Sequence, residues 1–232
     1  MELKVIAYAR NGHTDKFGIP RQSREESPIL TRIVFEPEFR IPEMLRGIDG
    51  YSHLWLIWGF NTTDWSPTVR PPRLGGNRRM GVFATRSPFR PNPLGLSSVK
   101  LIKVQSDNVQ GTKGSSLELI VSGADLLDGT PIYDIKPYLS FSDSHENAQN
   151  GFAEETKNRT LEVVWQPGLN QVLTTYQPGN DTVSEICYIL SQDPRPGYQD
   201  DPEREYKLDY AGFTVTFTVE GQKVLVKKVE KI

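Results

Sequence analysis

Phe213-Thr214-Val215-Thr216-Phe217-Thr218-Val219 alternates bulky apolar and polar side chains without a break. A period of two belongs to a strand with one face on a core, and these residue types suit a pleated surface. Phe213, Val215, Phe217 and Val219 therefore face one way and the threonines the other. Gly221 then permits a turn into residues 224–229, so the stretch predicts a terminal hairpin. Short apolar or β-branched runs bounded by turn formers recur at residues 4–9, 53–58, 99–104, 117–121 and 161–165. The pattern predicts a mainly β chain with few helices. One short helix is expected where Asp181 offers an N-cap to Val183, Ile186, Cys187, Ile189 and Leu190 at helical spacing.

With 232 residues the chain can close one large or two small cores without cross-links. Residues 143–159 are polar and aperiodic, the best boundary in the sequence. The expectation is a larger domain over residues 1–145 and a smaller α+β domain over 146–232. The single cysteine, Cys187, sits among apolar residues and reads as a buried thiol, which fits a reducing compartment. The first ten residues hold no signal-peptide stretch, and no run approaches a membrane span. A cytoplasmic protein with no membrane partner is expected.

The net charge of -2 hides a strong asymmetry. Between Asp64 and Asp107 no acidic residue occurs, yet Arg70, Arg73, Arg78, Arg79, Arg86, Arg90, Lys100 and Lys103 do. These 8 cations leave the rest of the chain at -10. Such an island suits a polyanion, because cations that neutralise phosphates release condensed counterions. A solvated segment paired with carboxylates elsewhere accounts for the charge equally well.

Several chemistries lack their parts. No glycine-rich loop matches a phosphate or dinucleotide fingerprint, and Gly75-Gly76 reads as a turn. His13, His53 and His145 are far apart with no paired ligand spacing, so no metal is expected. Ser97 to Lys100 has a Ser-x-x-Lys spacing, but the pattern there is that of a strand. Asp200 and Asp201, next to Pro202, read as an exposed loop.

The informative stretch is Gly81-Val82-Phe83-Ala84-Thr85-Arg86-Ser87-Pro88-Phe89-Arg90-Pro91-Asn92-Pro93-Leu94-Gly95-Leu96-Ser97. Proline-stiffened backbone here presents guanidinium forks and an amide in fixed directions. A second stretch, Asp128-Gly129-Thr130-Pro131-Ile132-Tyr133-Asp134-Ile135-Lys136-Pro137-Tyr138, joins a turn to charged groups on a strand. Taken alone, a hairpin turn with a salt bridge is its simpler account. Together the two closely resemble the TrmO family of tRNA methyltransferases, also called YaeB, TsaA or VirR-like. The resemblance extends to Lys16-Phe17-Gly18-Ile19-Pro20-Arg21-Gln22, to His53-Leu54-Trp55 and to Arg70-Pro71-Pro72-Arg73-Leu74-Gly75-Gly76-Asn77. It covers the first domain, and Asp193-Pro194-Arg195-Pro196 with the final hairpin is similar to the C-terminal domain of bacterial members. The loop at residues 62–65 is shorter than in many of them.

The resemblance implies a small β-barrel that binds S-adenosylmethionine and works as a homodimer. It further implies methylation of the exocyclic amine of N6-threonylcarbamoyladenosine at position 37 of threonine tRNA. The cofactor site it implies comprises Pro20, Arg21, Gln22, Asn61, Thr62, Arg86, Leu96, Asp128, Gly129, Thr130 and Pro131. Arg86 would fork onto the methionyl carboxylate and Leu96 would cover the adenine, while backbone of the 128–131 turn binds its edge. Asn92 is a candidate to orient the target base and Asp134 to accept its proton. Pairing of Asp134 with Lys136 or an arginine is the alternative. Arg70, Arg73, Arg78, Arg79 and Arg90 are candidate contacts to tRNA phosphates. A non-catalytic RNA-binding module is the rival function, with arginines on phosphates and aromatics on bases. A methyltransferase for a protein or small molecule leaves the basic island unexplained.

Overall fold

A computed structural model describes residues 2–14, 18–19, 27–62, 64–71, 78–106, 116–156, 160–176, 181–195 and 201–232. The strands are β1 (Ala7–Arg10), β2 (Leu30–Phe35), β3 (His53–Gly59), β4 (Thr68–Val69), β5 (Met80–Gly81), β6 (Leu94–Ser106), β7 (Leu117–Ser122) and β8 (Pro131–Pro137). After them come α1 (Ser140–Asp143), β9 (Glu162–Trp165), α2 (Leu169–Tyr176), α3 (Thr182–Ser191), β10 (Tyr206–Tyr210), β11 (Phe213–Glu220) and β12 (Lys223–Lys231). Two compact units interleave along the chain. One comprises residues 1–11, 21–65 and 88–147, the other residues 12–20, 66–87 and 148–232.

In the first unit six strands close a barrel in the order β1-β2-β7-β6-β3-β8, each antiparallel to both neighbours. Closure removes the unpaired edges that an open sheet would leave. Alternate residues fill the interior: Ala7, Ala9, Ile33, Phe35, Leu54, Leu56, Trp58, Val99, Leu119, Val121 and Ile132 are all buried. The largest of these side chains needs a gap to lie in. Gly95 supplies it, since a Cβ there would stand 2.2–2.5 Å from three atoms of the Trp58 indole. Trp58 Nε1 donates to Ser97 Oγ at 2.9 Å, and Ser97 Oγ donates in turn to Asp125 Oδ1. The serine of the Ser-x-x-Lys spacing is thus a buried strand residue tying Trp58 to the loop after β7.

Strand β7 is buried on both faces, including Glu118. Its carboxylate accepts a two-pronged bond from Arg32, Nε to Oε2 at 2.8 Å and Nη2 to Oε1 at 2.6 Å. A buried carboxylate is tolerable when both oxygens meet a matched guanidinium.

The second unit has a sheet of order β10-β11-β12-β9, with β9 parallel to β12 and the other pairs antiparallel. Val215, Phe217, Val219, Val224 and Val226 are buried, as are Leu173 of α2 and Ile186, Ile189 and Leu190 of α3. Thr216 and Thr218 are also buried, so the polar face of the alternating strand is covered too. Asp181 does precede α3, but its backbone carbonyl, not its side chain, receives the Glu185 amide at 3.0 Å. Cys187 is half-buried and accepts a bond from Trp165 Nε1 at 3.1 Å; burial raises its thiol pKa. Past α3, Asp193 and Arg195 form an internal fork at 2.8 and 3.1 Å. No helix among the described residues is long and apolar enough to cross a membrane.

Candidate active site

Antiparallel pairing decides which loops meet at each end of the barrel. Tyr8 opposite Pro131, and Gly59 opposite Leu94, bring the end of β1, the end of β3, the start of β6 and the start of β8 to the same end. The Phe60 amide donates to the Pro93 carbonyl at 2.8 Å, which lays the Asn61–Thr62 loop beside Pro91-Asn92-Pro93. The Asn61–Thr62 loop, Asn92, the start of β6 at Leu94 and Leu96, and the 128–131 turn, far apart in sequence, therefore meet at one end of the barrel.

The turn at residues 128–131 is clamped from within. Gly129 donates to the Ala9 carbonyl and Ala9 to the Thr130 carbonyl, both at 2.9 Å. Gly129 has φ +79°, a left-handed conformation that a side chain would strain. The Asp128 carboxylate receives the Asn11 amide at 3.1 Å and Arg10 Nη1 at 3.3 Å, and Thr130 Oγ1 donates to the Leu127 carbonyl at 2.8 Å. Asn11 Nδ2 adds bonds to Thr31 Oγ1 and the Leu126 carbonyl. The side chains of Asp128 and Thr130 thus shape the turn, and sequence reasoning missed Arg10 and Asn11, whose roles show only once β1 and β8 are paired.

Strand register builds an outer face next to this end. Leu54, Leu56 and Trp58 point inward, so Trp55 and Ile57 point outward. Leu96 lies opposite Ile57, and Ile57 opposite Asp134, which sets these three in one row across β6, β3 and β8. Leu94 and Leu96 are 38% and 56% exposed, an apolar ledge open to a flat ligand. Tyr133 closes over Gly59, where a Cβ would lie 2.7 Å from its ring. Asp134 Oδ2 is 2.7 Å from Lys136 Nζ, and its Oδ1 accepts the Ile135 amide at 2.9 Å. Both partners of this ion pair are partly exposed. The Asn92 side chain is exposed, and the Asn92 backbone carbonyl accepts the Leu94 amide at 2.7 Å. Farther along the same face Trp55 Nε1 donates to Asp143 at 2.8 Å, and the Leu139 amide also donates to this carboxylate, lowering its pKa.

In the second unit Arg86 is exposed on a stiff turn: Thr85 Oγ1 donates to the Val82 carbonyl and accepts the Ser87 amide. The Val82 amide donates to the Pro67 carbonyl at 3.0 Å, fixing that turn beside β4. Strands β4 and β5 form a two-stranded ribbon, and Arg70, Arg78 and Arg79 are exposed along it. Arg79 spends two donors on Thr68, at 2.9 Å to Oγ1 and 3.3 Å to the carbonyl. Arg90, half-buried, belongs to the barrel unit. Pro20, Arg21, Gln22 and Arg73 lie outside the described residues. Among the described residues no three His, Cys, Asp or Glu side chains gather as a metal site would require.

Residues 8–144 match the family described as the tRNA-methyltransferase O N-terminal domain, and residues 158–232 match the TrmO C-terminal domain. The chain belongs to the TrmO family. A tRNA (adenine(37)-N6)-methyltransferase of Escherichia coli K12 is 37% identical over 94% of this chain and 93% of its own length. One of Eikenella corrodens with the same name is 44% identical over 77% of this chain and 97% of its own. A crystal structure of TrmO from Pseudomonas aeruginosa superposes with a TM-score of 0.76 at 28% identity, covering 99% of this chain and 98% of that one. The β-barrel that the sequence resemblance implied is the fold observed, and the likeness to the TrmO structure extends over 99% of this chain.

Proposed function

We propose that this protein is an S-adenosylmethionine-dependent methyltransferase that methylates N6 of the adenine at position 37 of tRNA. The carrying observation is the convergence at one barrel end of the 128–131 turn, the Asn61–Thr62 loop, Asn92 and the apolar ledge of Leu94 and Leu96. Family membership and the names of the relatives support the same reading. Its finer form is methylation of threonylcarbamoyladenosine in threonine tRNA by a cytoplasmic homodimer. In that form the domain over residues 1–145, which includes the barrel strands, carries catalysis, with 146–232 as the smaller domain.

The residues present suit the cofactor. Leu94 and Leu96 offer flat apolar surface to a purine, and the clamped turn holds backbone groups in place before anything binds. An exposed guanidinium on a rigid turn, that of Arg86, matches a carboxylate. Bound S-adenosylmethionine supplies a methyl group on a sulfonium, open to in-line attack. The chain's part is to hold the attacking nitrogen on that line. This amine is a weak nucleophile, its lone pair being delocalised into the ring. Asp134, on the same row as Leu96, accepts its proton, while Lys136, 2.7 Å away, holds the carboxylate turned. The Asn92 amide orients the base from the neighbouring loop.

Nucleoside mass spectrometry of tRNA from cells lacking the gene tests the reading. One methylated nucleoside should vanish, and an unchanged profile would remove it. Calorimetric binding of S-adenosylmethionine separates it from a non-catalytic RNA-binding module, which would take up none. Sedimentation at assay concentration tests the homodimer, and a fully active monomer would exclude it.

A further inference from the structure

Strand β6 begins with residues that alternate between the apolar ledge and the barrel interior. Leu94 and Leu96 face out, while Gly95, Ser97 and Val99 are buried. Leu96 therefore has an inward neighbour on each side in the chain. Gly95 lies under the Trp58 indole, close enough that a Cβ would collide with it, and Ser97 Oγ accepts the indole N–H at 2.9 Å. Trp58 is in register with Gly95 of β6 and Ile132 of β8, so it sits where both strands start. Its ring packs on Phe60, centroids 4.3 Å apart, and Phe60 is the residue whose amide holds the Pro93 carbonyl just before Asn61–Thr62.

The hydrogen bonds here run in one direction. An indole N–H only donates and a carboxylate only accepts, so the hydroxyl between them receives from Trp58 and gives to Asp125. Asp125 follows β7 and leads through Leu126 and Leu127 into the clamped turn at 128–131. Trp58, Ser97 and Asp125, all in the barrel unit, therefore join the three stretches of chain that carry Asn61–Thr62, the Leu94 and Leu96 ledge, and the turn. Apolar filling would let those stretches slide past one another at little cost. A chain of directed bonds in a water-excluded interior has one low-energy geometry.

We propose that Trp58, Ser97 and Asp125 are positioning residues for the cofactor, an inner brace that holds the ledge and its two flanking loops in binding geometry. The proposal rests on the cofactor reading of Asn61, Thr62, Leu96 and residues 128–131 given above. None of the three touches the reacting atoms. Their influence acts by keeping the site in shape before anything binds, so it falls on cofactor affinity and leaves the chemical step alone.

Ser97→Ala, Asp125→Ala and Asp125→Asn test it. Leu119→Val is the control, since Leu119 is buried in the same interior but pairs with Val104, far along β6 from the ledge. Melting temperature, hydrogen-exchange protection of the Phe60 amide, calorimetric Kd for S-adenosylmethionine, and kcat and KM are measured on each full-length protein. Both alanine variants should lose Phe60 protection and raise Kd and KM for the cofactor at least about fivefold. Their kcat at saturating cofactor should stay within about twofold. Asp125→Asn keeps an acceptor for the Ser97 hydroxyl and should retain most of the affinity, while Leu119→Val should lower melting temperature with Kd unchanged. A folded Ser97→Ala protein with wild-type Kd overturns the brace and leaves the cofactor reading standing, as does a rise in Kd for Leu119→Val that matches the one for Ser97→Ala. Should Ser97→Ala fail to fold, Asp125→Ala decides in the same way. Wild-type protein that binds no cofactor overturns both.

Discussion

Single residues carry two consequences that can be measured directly. Arg86 stands on a turn held by Thr85 and Pro67, so its removal should leave the fold intact. Losing a charge-assisted bond costs roughly 1.5–3 kcal/mol, so Arg86→Ala should weaken S-adenosylmethionine binding by about 10- to 150-fold. Unchanged calorimetric affinity in the folded variant would reassign this arginine to RNA or to structure. His13 gives a pH signature, since burial pushes its pKa down to about 4. As pH falls from about 6.5 towards 4, the unfolded chain takes a proton that the folded one refuses, so stability falls with pH and the loss levels off below about 4. Tyr210 stands edge-on to His13, and Glu185, which bonds its hydroxyl, has its pKa raised by burial and works in the opposite direction. Comparison with His13→Phe cancels the Glu185 contribution. Wild type should lose about 2–3 kcal/mol more than the variant between pH 7 and 4.5 in urea unfolding; equal losses would show that His13 is not buried as a neutral ring.

At the scale of elements, the β3–β6 pair depends on a missing side chain. Gly95→Ala would drive a methyl group into the Trp58 ring, which Ser97 and the barrel wall hold in place. Overpacking of this kind costs about 1–3 kcal/mol, so the melting temperature should drop by several degrees. A variant as stable as wild type would mean that the indole can swing aside. The same glycine explains what the sequence concealed. Residues 99–104 read as a strand from their alternation, yet β6 starts at Leu94, because Pro93 and Gly95 look like loop formers until Trp58 is seen to occupy the space that a side chain would fill. Strand β2 and helix α2 gave no strong period and went unread, whereas β3, β7, β11 and α3 were legible from apolar spacing alone. For the site, arginine, asparagine and proline clusters were visible as motifs. Arg10 and Asn11 were not, because their partner lies at Asp128, far away in sequence.

For the whole molecule, charge is segregated: the island between Asp64 and Asp107 is wholly cationic in a chain of net charge -2. If exposed Arg70 contacts tRNA phosphate, Arg70→Ala should weaken binding about equally for all tRNA sequences. It should also flatten the slope of log K against log salt by roughly 0.7–0.9. Arg79→Ala removes the two bonds to Thr68 as well, so it should loosen the β4–β5 ribbon in addition to any change in slope. Affinities at several salt concentrations, alongside melting temperatures, separate the effects; an unaltered slope with lower stability would make both arginines structural. The pairing of β1 with β8 bears on how the chain is made. Strand β1 meets β2 soon after it is made, but its other edge has to wait for a partner that begins at Pro131, and His13 waits longer still, for Tyr210. Until then β1 offers an unpaired edge and Gly12 has nothing to dock against, so newly made chains pass through a long interval in which chaperones and neighbouring nascent chains compete for the same surfaces.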